Sequence, residues 1–338
     1  FKIVYSPQHG ADNIPVRTCL KRLGYDIVPV LAQCAPDPDY TNTKSPNPEV
    51  DASYELAIKL AKEVDADVVA ITDPDGDRLG VVAKHNGEYV LMSGNQSAAV
   101  YLEYILSQRK EKGTLPDNAV MYNTIVTSDL GELVARNYGV DVEKTLTGFK
   151  FIGDKIRKYE KTHEKQFIFG YEESYGCVVE DFVRDKDAVQ AVLLAAECGN
   201  YYKKQGKDLI DVLNELYAKY GTFKESQIAL AKAGAAGAAR IKEMMDTLRQ
   251  DKPTEIGGVK VVLSEDYATS ERSDGTTIDL PKSNVLKYYL EDGSWIAARP
   301  SGTEPKCKFY FSIKGKDAKD AADKTEVFHK AMMELIGE

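Results

Sequence analysis

Val68-Val69-Ala70-Ile71 is an uninterrupted apolar run, and Asp73-Pro74-Asp75-Gly76-Asp77-Arg78 follows it almost at once. A short run of this kind reads as a strand buried within a layered α/β sheet. The acidic loop then falls at the carboxyl end of that strand, where open α/β sheets bind their ligands. Carboxylates at alternate positions are hard oxygen donors, and Mg²⁺ held by a few of them is usually completed by water and substrate phosphate. The hexapeptide is therefore either a metal loop built for phosphate chemistry or a solvated Asp-Gly turn. A calcium-binding EF-hand is excluded, because Arg78 stands where that motif needs glycine and Lys84 where it needs the closing glutamate.

The neighbouring segments repeat the same rhythm. Strands are expected over residues 1–5, 25–30 and 66–72, helices over 15–23 (capped by Asn13, closed by Gly24) and 52–64, and a hairpin, 79–84 with 88–92, around Asn86-Gly87. A long helix follows over 94–110. The proline-rich passage 36–48 is a long loop, and such loops are usually functional or flexible. After the polar stretch 109–117 the alternation resumes: strands over 119–124, 142–146 and 166–169, helices over 128–137 (capped by Ser128), 154–159, 188–203 and 209–220. Residues 230–250 read as a helix and linker. Beyond them come strands over 259–263, 276–280, 285–290, 294–298 and 308–313, then a helix over 316–336 with Val327, Phe328, Ala331, Met332, Leu335 and Ile336 as its apolar stripe. The expected fold is thus two mixed or parallel α/β sandwich domains, 1–108 and 114–228, followed by a smaller α+β domain, 238–338.

At 338 residues, 43% hydrophobic and 29% charged, the chain is an ordinary globular protein. No apolar run is long enough for a membrane span and no signal peptide opens the sequence, so a cytoplasmic location is the default. A net charge of −9 argues against general nucleic-acid binding. Five widely spaced cysteines without a CxxC pair indicate neither a disulfide framework nor a zinc site. Since the first residues are already in a strand pattern and there is no initiator methionine, a segment upstream is expected.

Three more loops follow strands and combine glycine with charge. In Thr147-Gly148-Phe149-Lys150-Phe151-Ile152-Gly153, Lys150 is either an acid/base lysine desolvated by the two aromatics or a surface lysine in a turn. In Gly170-Tyr171-Glu172-Glu173-Ser174-Tyr175-Gly176, carboxylates beside a hydroxyl suit the vicinal hydroxyls of a sugar, or form a polar turn. In Arg299-Pro300-Ser301-Gly302-Thr303-Glu304-Pro305-Lys306, the guanidinium fork, two hydroxyls and a glycine that admits backbone N–H groups compose a phosphate cradle. His85, His163 and His329 read as solvated, while His9 is a candidate to line a cleft.

Together and in this order these loops resemble the α-D-phosphohexomutase family, particularly its bacterial phosphoglucomutases. The resemblance is carried by DPDGDR at 73–78, GYEESYG at 170–176 and RPSGTEPK at 299–306, with SPQHG at 6–10, TGFKFIG at 147–153 and RDKDAV at 184–189 in support. It implies that Asp73, Asp75 and Asp77 hold Mg²⁺, that Arg78 steadies the transferring phosphoryl group, and that Lys150 is the acid/base. Glu172 and Ser174 would grip sugar hydroxyls. Arg299, Ser301, Gly302, Thr303 and Lys308 would hold the phosphate that is not reacting. The family's first domain carries a phosphoserine in a Ser-His-Asn context; none occurs here, so the chain matches the family's domains two to four and is expected to be inactive alone. The implied reaction takes glucose 1-phosphate to glucose 6-phosphate through glucose 1,6-bisphosphate. Phosphomannomutase, phosphopentomutase and a noncatalytic sugar-phosphate or Mg²⁺-binding protein are the alternatives. Two departures stand out: Lys308, where many relatives carry arginine, and Ala188, often glycine, which leaves the role of Lys186 open.

Overall fold

The run at 68–71 lies at the centre of the first sheet. β1 (Lys2–Ser6) sits between β2 (Asp26–Pro29) and β3 (Val68–Thr72), all parallel, and the hairpin β4 (Leu79–His85) with β5 (Glu88–Met92) adds two antiparallel strands in the order β2-β1-β3-β4-β5. Every residue of β3 is buried. Asn86 and Gly87 both take positive φ, 50° and 85°, as a tight hairpin turn requires. Three helices accompany this sheet: α1 (Asn13–Arg22), α2 (Glu55–Val64) and α3 (Gly94–Glu111). Ala57 and Ala61 of α2 pack with Val4, Val69, Ile71 and Val82 of the strands. A capping box fixes the start of α3, where Ser93 Oγ accepts from the Gln96 amide at 3.2 Å and Gln96 Oε1 from the Ser93 amide at 2.9 Å.

In this computed structural model, which describes every residue except Thr303, the chain divides into two units, Phe1–Leu216 and Tyr217–Glu338. The first unit also holds a second sheet, β7-β6-β8-β9, formed by β6 (Ala119–Thr124), β7 (Asp141–Thr145), β8 (Gln166–Tyr171) and β9 (Cys177–Val178), with only β9 antiparallel. Its helices are α4 (Leu130–Asn137), α5 (Phe149–Thr162), α6 (Ala188–Lys203) and α7 (Leu209–Tyr220). α6 touches β3 and β4 of the first sheet and β9 of the second, and α3 packs against α4, α6 and β4. Helix α3 is buried on nearly every side through its first thirteen residues, the pattern of an internal helix.

The second unit is an antiparallel sheet with helices on one face. Its elements are β10 (Thr222–Ala231), α8 (Gly234–Gln250), β11 (Glu255–Ile256), β12 (Val259–Asp266), β13 (Glu271–Arg272), β14 (Leu286–Leu290), β15 (Trp295–Pro300), β16 (Lys306–Gly315) and α9 (Ala318–Leu335), in the order β10-β16-β15-β14-β12-β11 with β13 on β12. Met244, Met245 and Leu248 of α8 and Phe328 and Met332 of α9 cover Phe309, Phe311 and Ile313 of β16. The two α/β layers and the α+β layer are those the sequence implied.

Several local expectations are corrected. Residues 230–231 belong to a strand, because β10 pairs with β16 over its whole length from Thr222 to Ala231, and the helix begins only at Gly234. No strand forms over 276–280; Asp274 draws the Thr276 amide and hydroxyl into a turn, leaving one bridge between Glu271 and Thr277. Asn13 does not cap α1: Asp12 holds the N-cap position, and Asn13 Nδ2 donates to the Cys34 carbonyl at 2.7 Å. Residues 51–54 form a 3₁₀ turn ahead of α2, and α4 starts at Leu130 after Asp129. Helix α5 starts at Phe149 rather than 154, so Lys150 lies on a helical first turn. The loop over 36–48 is pinned by Gln33 Nε2 to the Asn42 carbonyl (2.7 Å) and Thr43 Oγ1 to Gln8 Oε1 (2.6 Å). On α9, Val327 and Leu335 are exposed, which narrows the buried stripe. All five cysteines are free, and among the described residues no helix is long and apolar enough to cross a membrane.

Glu143 of β7 ties α5 to the second sheet. It accepts from Lys155 Nζ at 2.8 Å and Tyr159 Oη at 2.7 Å, and Lys165 Nζ lies 3.0 Å away. Burial opposes its ionisation, but these three partners outweigh it and hold the carboxyl down at about 2, from an ordinary 4.5. A depressed folded-state pKa gives stability that is complete above the unfolded value and lost as pH falls through the folded one. Glu143→Gln is therefore expected to flatten the fall in stability between about pH 4.5 and about pH 2, read from urea melts across that range; parallel curves for the two proteins would refute the role of this carboxylate.

Candidate functional site

The acidic loop is the connection from β3 to antiparallel β4. Asp73, 7% exposed, folds it: its Oδ1 accepts the Asp77 amide at 3.0 Å and the Arg78 amide at 2.9 Å, while Gly76 N–H donates to the Asp73 carbonyl at 3.2 Å. Gly76 takes φ +76°, open to glycine without strain. Closing the turn in this way brings one oxygen each of Asp73, Asp75 and Asp77 within 4.8 Å of one another. Burial pushes the Asp73 carboxyl up, and the charges of Asp77 and Asp75 add to it against the pull of the Arg78 and Asp77 amides. Asp77 Oδ1 is buried without a hydrogen-bond partner. Hard oxygen donors crowded on one turn, one of them without a hydrogen bond among the described residues, fit a divalent cation of the Mg²⁺ kind.

Cations frame the loop. Lys186 Nζ lies 2.6 Å from Asp77 Oδ2, and Arg78, anchored by Nη1 to Glu49 Oε1 at 2.8 Å, holds Nε 3.6 Å from Asp73 Oδ2 and 3.5 Å from Asp77 Oδ1. Burial works against the charge on Lys186, but the bond and charge of Asp77 raise its pKa overall. Its stem crosses Gly176 so closely that a Cβ there would meet Lys186 Cδ at 2.2 Å. Backbone bonds complete the junction: Ala188 N–H donates to the Gly76 carbonyl at 3.0 Å and Leu79 N–H to the Tyr175 carbonyl at 2.9 Å. The segments 73–79, 170–176 and 184–188 are thus one cluster inside the first unit.

In the second loop of that cluster, Glu172 is 8% exposed and its Oε1 accepts the Gly148 amide at 2.7 Å. Burial raises its pKa, opposed by that amide and by Lys186. Glu173 turns away to accept from Thr124 Oγ1 (3.2 Å) and Thr127 Oγ1 (3.4 Å), and burial, then the Glu172 charge, push it up to about 7. Ser174 is half-buried. Glu172 therefore faces the Gly148 amide within the loop that bonds to the metal loop through Tyr175, whereas Glu173 braces the β6 end.

Lys150 is not desolvated between its aromatic neighbours. Starting the helix at Phe149 buries that ring and leaves Lys150 exposed, with Nζ 5.0 Å from the Phe151 ring centre. It lines an open cleft of about 710 Å³ with Gly76, Arg157, Arg184, Lys186 and Asp187. The sequence left the role of Lys186 open and did not single out Asp12. Asp12 is 6% exposed, and burial followed by the charges of Asp187, Asp75 and Asp77 lifts its carboxyl to about 6. His9 is buried with Nδ1 2.7 Å from the Ala35 carbonyl. Two histidines expected in solvent have partners: His85 Nδ1 lies 2.8 Å from Asp208 Oδ2, the carboxylate that also accepts the Ile210 and Asp211 amides at the start of α7, and His329 Nε2 lies 2.7 Å from Ser226 Oγ.

The fourth loop belongs to the second unit and joins β15 to β16. Arg299 and Lys308 are cross-strand partners at its base, both half-buried. Ser301 N–H donates to the Lys306 carbonyl at 2.7 Å, and Ser301 Oγ accepts the Glu304 amide at 3.2 Å. Ser301 and Gly302 are exposed, with open space where a Cβ on Gly302 would point; Thr303 lies outside the described residues.

Three segments match models of one family: phosphoglucomutase/phosphomannomutase, alpha/beta/alpha domain II over residues 1–87, alpha/beta/alpha domain III over 93–220, and the C-terminal domain over 232–328. A phosphoglucomutase of Staphylococcus haemolyticus (strain JCSC1435) is 38% identical over 319 residues, 92% of this chain and 57% of that protein. The chain thus spans a little over half the length of this curated relative. Among solved structures, the open form of pp63/parafusin, a phosphoglucomutase from Paramecium, superposes with a TM-score of 0.72 at 19% identity over 100% of this chain and 59% of its own. An Aspergillus fumigatus N-acetylphosphoglucosamine mutase variant, solved in complex with glucose 1,6-bisphosphate, gives 0.53 at 14% identity over 98% and 60%. With the ordered loops and layers in place, the chain belongs to the phosphoglucomutase/phosphomannomutase family.

Proposed function

We propose that these residues form the larger part of a cytoplasmic phosphohexomutase that interconverts glucose 1-phosphate and glucose 6-phosphate through glucose 1,6-bisphosphate. The observation that carries this reading is the single cluster in which the carboxylates of 73–77, the Lys186 ammonium and the Glu172 loop meet. Phosphate chemistry and sugar recognition need those groups side by side. In this reading the stretch 1–108 supplies the metal loop, 114–228 the loops of Lys150 and of Glu172, and 238–338 the phosphate loop. The phosphoryl group is exchanged with a serine carried outside these 338 residues, and the chain by itself does not turn over.

Asp73, Asp75 and Asp77 would hold Mg²⁺, which would neutralise charge developing on the transferring phosphoryl group. Arg78, braced by Glu49, steadies that group. Glu172 has one oxygen fixed by the Gly148 amide and offers the other, with the Ser174 hydroxyl, to the sugar. Arg299, Ser301, Gly302, Thr303 and Lys308 hold the nonreacting phosphate, Lys308 as a point charge rather than a fork. Lys150 is assigned the acid/base step. One observation favours Lys186 as the alternative: it is half-buried and bonded to Asp77, whereas Lys150 is exposed.

The reading is tested by a metal-dependent mutase assay of the full-length protein with glucose, mannose, glucosamine and pentose phosphates, glucose phosphates being expected to turn over fastest and no turnover on any of them refuting it. Lys150→Ala is expected to lower kcat by roughly 10²- to 10⁴-fold; a full rate there with that loss in Lys186→Ala transfers the role. Arg299→Ala should mainly raise KM, since a nonreacting phosphate is held alike in ground and transition states. A fall in kcat alone would remove the fourth loop from phosphate binding.

A further inference from the structure

Asp12 stands at the N-cap position of α1 without capping it. An aspartate there ordinarily accepts the amide of the second or third helical residue. Here the residue is only 6% exposed, and Oδ2 is buried with no hydrogen-bond partner among the described residues. It lies instead against the metal loop: a Cβ built on Gly76 would come within 2.6 Å of Asp12 Oδ1 and 2.8 Å of Oδ2. The Ala11 amide donates to the Pro74 carbonyl at 2.9 Å, which clamps this turn onto the loop. On the loop itself Asp77 Oδ1 is likewise buried without a hydrogen bond among the described residues, with Arg78 Nε 3.5 Å away.

A buried carboxylate oxygen without a partner is costly, and its retention calls for a partner that the polypeptide does not supply. Asp12 is outside the set whose oxygens gather within 4.8 Å, namely Asp73, Asp75 and Asp77, although it lies against the same loop at Gly76. Magnesium keeps several of its waters, and outer partners that orient such ligands are part of the site. We propose that Asp12 is a positioning residue of the metal site, accepting a hydrogen bond from a water on the cation held by Asp73, Asp75 and Asp77, with the missing side chain of Gly76 as the gap that admits it. This rests on the reading of the loop as a metal site.

The test is a Mn²⁺ titration of the full-length protein, with free Mn²⁺ counted by electron paramagnetic resonance and Mg²⁺ as competitor. Asp75→Asn is expected to abolish binding, and Asp12→Asn to weaken it by about 10- to 100-fold. Thermal melts separate positioning from plain packing: in chelator, Asp12→Asn should melt no lower than the parent, because an unpaired buried charge is gone, while its gain on adding Mg²⁺ shrinks. Unaltered Mn²⁺ affinity in Asp12→Asn with binding lost in Asp75→Asn overturns this inference and leaves the metal loop standing. A lower melt in chelator with unaltered affinity also overturns it, making Asp12 a packing residue. If the parent protein binds no Mn²⁺, both readings fall together.

Discussion

Like charge gathered in a partly desolvated turn is the constraint around which the first unit is arranged. Asp73, Asp75 and Asp77 meet at the end of β3, and the buried Asp12 has its carboxyl pushed up first by that burial and then by the charges of Asp187, Asp75 and Asp77. Such a cluster persists only where the surroundings answer it. Two amides satisfy Asp73, the Lys186 ammonium takes Asp77, and Arg78 lies beside both. Helix α6 opens against the Gly76 carbonyl through the Ala188 amide, and a helix N-terminus favours neighbouring negative charge. Each compensating group comes from a different segment, so the loop's electrostatics and the docking of β8, α6 and α1 around it are one requirement.

Much of this was legible in the sequence because the relevant signals are local. The apolar run at 68–71, the Asn86-Gly87 turn and the helix closed by Gly24 depend on neighbours within a few residues, and the structure has them where the pattern placed them. What was misread depends on distant partners. β10 shows alternation too weak to announce a strand, since much of it is exposed, and its strand character is conferred by pairing with β16 some eighty residues later. Lys150 was placed in a turn because Gly153 looked like the turn's end; Gly153 is instead a buried helical position.

The candidate site divides the same way. Alternate carboxylates announce a metal loop by their spacing, but nothing local distinguishes Asp12 from an ordinary helix cap. The contact arises because β1 and β3 are parallel neighbours, which brings the turns after each to the same end of the sheet. Lys186 was visible as a cation in a charged run, and only the approach of 184–188 to the acidic loop reveals its partner. Glu172 and Glu173, adjacent in sequence and told apart there only by the family resemblance, are separated by their neighbours, one facing the Gly148 amide and the other two threonines of the β6 end.

Helix α3 bears on how such a chain can be dismantled. It follows the first sheet in sequence and is buried against α4 and α6 as well as β4. Cutting the chain on either side of it would strand an apolar cylinder, either as an unsupported tail on the first sheet or as a missing wall of the second. Modules recognisable by descent are therefore not modules by mechanics here. The boundary between the two α/β sheets is a seam in ancestry that packing around α3 has closed, so neither sheet is complete without a helix that the other also uses.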